Sequence, residues 1–290
     1  MSDTQDGLPS LENELADLVR DLVQRFGDVP EKRERLAAVL GRLFSPSVIR
    51  RLGIYEFPAS FCLSVVVPVF NEEKTLRSIV RRILDTKIPC EIVLVDDGSS
   101  DGSAAILDEL RSWPAVRVFR HERNQGKGAA IRTGFQHARG DVVVIQDADL
   151  EYDPHDFLHL LRPILEDKAD IVYGSRFSSN DRPVARYWHQ TGNRAITMMS
   201  NMFTNLKLSD VETCYKMMRR ETLACVLPSL KESGFGIELE LTAKLARIPD
   251  VRFYELPISY SPRGYAEGKK IGWRDGLRAL WCIGRYAIAN

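Results

Sequence analysis

The chain has 290 residues, 44% hydrophobic and 28% charged, and its 40 basic and 40 acidic side chains leave no formal net charge. That length allows one full α/β domain with a smaller appendage, the composition excludes wholesale disorder, and the neutral balance speaks against a nucleic-acid binder. Five cysteines (Cys62, Cys90, Cys214, Cys225, Cys282) form no CxxC pair and fit reduced thiols.

The acidic amino terminus lacks an apolar secretory core, so no signal is expected there. In residues 10–57, Leu11, Leu15, Leu18, Val19, Leu22, Val23 and Phe26 recur at helical spacing and Gly27 follows as a stop. Asp28-Val29-Pro30-Glu31 then reads as a cap opening a second helix with Leu36, Val39, Leu40, Leu43 and Phe44. Residues 1–57 are therefore expected to be a helical appendage, 58–262 the main domain, and 263–290 a basic loop and amphipathic helix. From Phe61 the period changes. FCLSVVVPVF, EIVLVDDGSS, VRVFRHE, DVVVIQDAD and DIVYGSRF read as strands, with helices near 72–84, 126–138 and 153–166 between them. This alternation, with nearly unbroken apolar strands, predicts an α/β fold: a mostly parallel sheet covered by helices on both faces. Ligands of such sheets bind beyond the carboxyl ends of the strands. The polar clusters Asn71-Glu72, Asp96-Asp97, Asp147-Ala148-Asp149 and Ser175-Arg176 fall there.

The strongest chemical signal is VVVIQDADLEYDP. A buried run, Val142 to Ile145, leads into Asp147, Asp149 and Glu151 at alternate positions. In an extended chain these carboxylates point one way, and a hard ion such as Mg²⁺ or Mn²⁺ would relieve their repulsion. Taken alone, the motif reads equally as a solvated acidic turn capping the next helix. His155 and His159 have no third partner and read as an exposed helix face.

VVPVFNEE, VDDGSSDGS and NQGKGAAIRTG precede that motif in order, each after a strand. With them, residues 63–270 resemble the family 2 glycosyltransferases of the GT-A fold. The resemblance implies a nucleotide-sugar donor. Pro68, Phe70, Asn71 and Glu72 would lie by its nucleoside and Asp96 or Asp97 would face its base or ribose. Lys127, at a glycine-flanked helix start, would suit a phosphate, and Asp147 would face the ribose or sugar. Asp149 and Glu151 would hold Mg²⁺ or Mn²⁺.

DVETCYKMMRRE, GFGIELELTAKLAR and ISYSPRGYAEGKKIGW narrow the resemblance to the dolichyl-phosphate and polyprenyl-phosphate branch. It implies inverting transfer of one hexose, mannose or glucose, from GDP-mannose or UDP-glucose to a polyprenyl phosphate. Arg176, Lys216, Arg263, Lys269 and Lys270 would meet the acceptor, with Asp149, Arg176, Lys216 and Arg263 as the catalytic set. Glu238 reads equally as an orienter of a cation, an acceptor contact, a base for a hydroxyl acceptor or a plain surface acid.

Residues 261–290 hold Arg263, Lys269, Lys270, Arg274, Arg278 and Arg285 against Glu267 and Asp275. Trp273, Leu277, Leu280, Trp281 and Ile288 share a broad helical face there, fit either for a membrane interface or for core packing. No apolar run reaches ~18 residues. The expected location is cytoplasmic and peripheral at the inner face of a membrane, with homo-oligomerisation left open. The rival readings are a soluble or polysaccharide hydroxyl acceptor, and a sugar-nucleotide-binding protein without catalysis.

Overall fold

The computed structural model describes residues 57–178, 187–262 and 281–286. The chain divides into two units, Met1–Ser60 and Phe61–Asn290. The expected helical appendage therefore falls, except at its very end, outside the described residues, as does the expected basic loop with Arg263, Lys269 and Lys270.

The second unit alternates as its sequence predicts. Strand β1 (Leu63–Val69) is buried along nearly its whole length. Helix α1 (Leu76–Asp85) follows, burying Leu76, Ile79, Val80 and Ile83, the i, i+3, i+4, i+7 stripe of a helix covering a sheet. Then come β2 (Cys90–Asp96), α2 (Ser103–Leu110), β3 (Val116–Arg120), α3 (Lys127–His137) and β4 (Val142–Ile145). A short 3-10 turn, Pro154–Asp156, leads into α4 (Phe157–Leu165), followed by β5 (Ile171–Ser175) and the long α5 (Tyr187–Thr204). The last elements are β6 (Lys216–Arg219), α6 (Arg220–Val226), α7 (Ile237–Leu245) and β7 (Phe253–Pro257). A further helical stretch covers 281–286.

The seven strands form one sheet in the order β3-β2-β1-β4-β6-β5-β7. Every neighbouring pair is parallel except those made by β6, which runs antiparallel to both β4 and β5. Val65 to Val67, Ile92 to Val95, Val143, Val144 and Ile171 to Tyr173 are almost wholly excluded from water. Burial of that kind contributes about 1.5–3 kcal/mol per large apolar side chain and requires cover on both faces of the sheet. Strand order reverses between β1 and β4, and such a switch point opens a crevice at the carboxyl ends.

Two strands were not legible as such. β6 reads KMMR and has no β-branched residue, while β7 reads FYELP and ends in a proline that only an edge position tolerates. The stretch 281–286 turns Cys282, Ile283 and Tyr286 inward, and Trp281 is 53% exposed with the Arg285 guanidinium 4.9 Å from its ring centre. Trp281, expected on the apolar face, thus lies outward beside Arg285, while the rest of that face falls outside the described residues.

Candidate active site

The carboxyl ends of β1 and β2 are tied to each other. The β1 end carries the half-buried Pro68 and Phe70 and then Asn71, whose backbone is left-handed (φ 56). The Asn71 N–H donates to Ser99 Oγ (3.0 Å) and its Oδ1 accepts from the Ser100 N–H (2.8 Å). The Glu72 N–H donates to Ser103 Oγ (2.9 Å), and Glu72 Oε2 accepts from the Thr75 hydroxyl (2.9 Å). Asp96 and Asp97 are both buried but differ in use. Asp97 holds the next loop: its oxygens accept from the N–H groups of Gln125 (2.9 Å) and Gly126 (2.7 Å), and His121 Nδ1 lies 2.7 Å away. Asp96 accepts from the Ser99 N–H at 3.0 Å, with Arg120 Nε at 3.7 Å.

The glycine-flanked Lys127 opens α3 on a cramped turn. Gly126 has φ 100, and a Cβ there would sit 2.3 Å from the Ser233 carbonyl oxygen; only glycine combines that backbone with that approach. Lys127 itself is folded onto carboxylates. Its Nζ lies 2.9 Å from Asp147 Oδ1 and 3.0 Å from Glu238 Oε1. Burial alone would lower this ammonium, yet Asp147 and Glu238 together hold it well above the ordinary lysine value. Glu238, whose role the sequence left open, is therefore a buried acid facing a cation.

The acids after β4 depart from the expected alternating row. The strand stops at Ile145, residues 148–150 turn, and Leu150 takes φ 63. Each acid then finds its own neighbour. Asp147 meets Lys127, Asp149 Oδ1 accepts from the Glu151 N–H (3.2 Å), and Glu151 Oε2 accepts from the Tyr260 hydroxyl (2.7 Å). Repulsion is eased by divergence and by separate partners. Among the described residues no group of three or more His, Cys, Asp or Glu side chains is placed to hold a metal. The two oxygen donors Asp149 and Glu151 nevertheless suit a hard divalent ion of the kind that takes one or two carboxylates and completes its shell with phosphate oxygens and water.

On the other side of the crevice, Arg176 follows β5. Its Nε and Nη2 grip the two oxygens of the fully buried Asp210 at 2.6 and 2.7 Å, a bidentate fork that fixes the guanidinium plane. The Tyr260 ring lies 5.4 Å from that guanidinium. Tyr260 thus touches both Glu151 and Arg176, linking the two halves of the site. Lys216 is placed differently from the expectation of an acceptor-facing cation. It is wholly buried, donates to the carbonyls of Val211 (2.8 Å) and Thr213 (2.5 Å), and lies 4.8 Å from the Tyr173 ring centre. Burial lowers its pKa. In this arrangement it braces the 211–213 loop from within. Arg263, Lys269 and Lys270 lie outside the described residues.

Sequence reasoning missed Asp210, Glu212 and Tyr260. The first two stand in the quoted DVETC segment, and their signal was an acid close in sequence to an expected cation. Burial, then the neighbouring Glu238 charge, pushes the Glu212 carboxyl up to about 7, and Asn193 Nδ2 donates to it at 3.2 Å.

Residues 64–227, more than half of the chain, match the sequence model described as glycosyl transferase family 2. The chain belongs to glycosyl transferase family 2. It is 34% identical over 218 residues to an undecaprenyl-phosphate 4-deoxy-4-formamido-L-arabinose transferase of Pseudomonas fluorescens (strain Pf0-1), covering 72% of this chain and 60% of that protein. It is 35% identical over 179 residues to the protein of the same name from Pectobacterium atrosepticum, covering 60% and 53%. The chain spans between 53% and 64% of the length of such curated relatives. In fold it is similar to the glucosyl-3-phosphoglycerate synthase of Mycobacterium tuberculosis, crystallised with Mn²⁺, uridine diphosphate and phosphoglyceric acid, at a TM-score of 0.61, 20% identity and 80% coverage of each chain. The family and the GT-A fold that the ordered motifs implied are both borne out. Among the described residues of this family 2 member, no helix is long and apolar enough to cross a membrane.

Proposed function

We propose that this family 2 protein is an inverting, metal-dependent glycosyltransferase that passes one sugar from a nucleotide diphosphate to a polyprenyl phosphate at a membrane surface. The observation that carries the reading is the Tyr260 link. One residue joins Glu151 on the donor side to the Arg176–Asp210 fork on the acceptor side, so a leaving diphosphate and an incoming phosphate would be handled side by side. The undecaprenyl-phosphate acceptor in the names of the relatives supports the same class.

In this reading Pro68, Phe70, Asn71, Glu72 and Asp96 line the nucleoside, and Asp147 meets the ribose or sugar. Asp149 and Glu151 would hold Mg²⁺ or Mn²⁺, which offsets charge on the departing diphosphate. A phosphate monoester has its second pKa near ~6, so at neutral pH the acceptor already carries the charge it needs to attack. The protein's task is then placement. Arg176, held flat by Asp210, offers the planar donor set that suits a phosphate, and Arg263, Lys269 and Lys270 would add positive charge from the segment that follows β7. The expected donors are GDP-mannose or UDP-glucose. A nucleotide-activated 4-deoxy-4-formamido-L-arabinose joins them because of the relatives' names, and UDP-glucose gains support from its presence in a crystal of the fold neighbour.

The protein is incubated with Mn²⁺ or Mg²⁺, each of these donors and a short polyprenyl phosphate, and the lipid is weighed by mass spectrometry. One donor should add one sugar mass, and EDTA or Asp149→Ala should abolish the gain while the far-UV circular dichroism stays unchanged. A lipid that gains no mass from any donor, or full turnover in EDTA, refutes the proposal.

A further inference from the structure

We propose that Glu238 is a positioning residue that fixes the Lys127 ammonium against Asp147, and that it does not serve as a general base. The inference rests on the donor-binding reading given above and deepens it. With its Oε1 turned to Lys127, Glu238 fits the phosphate acceptor of that reading, which arrives already charged and needs no base.

Three elements meet at this point. Lys127 is the first residue of α3, Asp147 lies just beyond β4, and Glu238 is in the first turn of α7. Glu238 is only 7% exposed, and its Oε1 points at Lys127 Nζ from 3.0 Å. A base needs a lone pair free for the acceptor's proton and a preference for binding it. The Glu238 Oε1 lone pair that meets Lys127 Nζ is already occupied, which opposes the first requirement.

The arrangement is also locked mechanically. The Ala129 N–H, in the first turn of α3, donates to the Ser233 carbonyl (3.1 Å). A Cβ on Gly128 would lie 2.6 Å from the Glu232 carbonyl oxygen, so the two segments touch backbone to backbone. The 231–232 backbone is in turn held by Glu240, which accepts from the N–H groups of Lys231 (2.9 Å) and Glu232 (2.7 Å). These ties hold the start of α3 against residues 231–233, just ahead of the helix that carries Glu238. What it can do from this position is hold Lys127. Asp147 then shares its cation with a second acid, and a carboxylate has lone pairs enough to serve a donor hydroxyl as well.

A double-mutant cycle tests this. Nucleoside diphosphate affinity in Mn²⁺ is measured by calorimetry, with GDP and UDP as the probes, for the wild type, Glu238→Gln, Lys127→Gln and the double variant. The kinetic constants kcat and donor KM are measured beside it. Glu238→Gln is expected to weaken nucleoside diphosphate binding and raise donor KM about tenfold while kcat falls less than tenfold, because only the placement of Lys127 is lost. Glu238→Asp should recover part of that affinity. The double variant, which leaves no buried charge unpaired at the Lys127–Glu238 contact, should bind no worse than Lys127→Gln alone. The inference is overturned if Glu238→Gln lowers kcat about a thousandfold with donor KM and affinity unchanged, which is the pattern of a lost base. A double variant that binds markedly worse than Lys127→Gln would overturn it too, a comparison that needs no folded Glu238→Gln. A wild type that binds neither diphosphate would sink the donor reading itself, an outcome visible before any variant is made.

Discussion

Glu212 should make the protein less stable as the pH rises through neutrality. Its carboxyl accepts from the Asn193 amide, and burial and the nearby charges of Glu238 and Asp210 raise its pKa from 4.5 to about 7 against the pull of Arg176 and Lys216. The folded protein binds that proton more tightly than the unfolded chain does, so the contribution is favourable while the acid stays protonated and is lost as pH climbs from about 4.5 through about 7. At about 1.4 kcal/mol per pH unit, the full penalty above pH 8 is about 3 kcal/mol, of which about 2–3 kcal/mol develops between pH 5 and pH 8. Glu212→Gln keeps an oxygen for the Asn193 amide and removes the charge. In thermal melts followed by circular dichroism, the variant should match the wild type within about 2 °C at pH 5. At pH 8 it should melt about 5–10 °C higher, at roughly 2–4 °C per kcal/mol for a chain of this size. A variant that gains nothing at pH 8, or gains equally at both values, would show that Glu212 is not held protonated by its surroundings.

Two further outcomes follow from contacts described above and a third from the basic tail. Arg176→Lys keeps the charge but loses the two-pronged grip on buried Asp210. It should cost about 1–3 kcal/mol in urea melts and raise the KM for lipid phosphate well above any change in donor KM; equal changes in both would count against an acceptor role. Gly126→Ala forces a Cβ against the Ser233 carbonyl at φ 100, so a loss of at least about 1–3 kcal/mol with weakened nucleoside diphosphate binding is expected, and a melt equal to wild type would contradict it. Arg274→Glu combined with Arg278→Glu should reduce co-sedimentation with anionic liposomes, while unchanged partitioning would favour a tail that only packs on the domain. Point changes are the cleaner test, because truncating the tail would also remove the bond from the Tyr286 hydroxyl to Glu232 Oε1 (2.9 Å) beside the start of α7.

The half of the frame built on β1, β2 and β4 was readable in the sequence, and the part built on β6 and β7 much less so. β1, β2 and β4 are apolar runs with both faces covered, so their period and their polar ends stood out, and three of the four glycine-rich or acidic motifs sit directly after them. The geometry after β4 was not readable in the same way. The alternation of Asp147, Asp149 and Glu151 suggested an extended row, but the strand ends at Ile145 and the chain turns over 148–150, with Leu150 at positive φ just before Glu151. Sequence proximity also says nothing of partners brought from afar. Lys127 looked like a phosphate ligand because its neighbours are glycines, and it took Glu238, 111 positions away, to show where its charge is committed. Lys216, expected to meet the acceptor, shows the same limit: in a short strand between β4 and β5 its side chain is buried, and the carbonyls of Val211 and Thr213 receive it.

The reversed direction of β6 has a consequence for how such a protein can change its substrates. Because this strand runs against β4 and β5, its entry point lies where theirs exit, and the connection from α5 must deliver residues 205–215 into the crevice before the strand begins. In the proposed reading, lengthening or recolouring that single connection would reshape the acceptor end, while the end proposed for the nucleotide, built from β1, β2 and α3, keeps its own fastenings. A graft of this connection between relatives is thus a natural route to a new acceptor with the old donor retained.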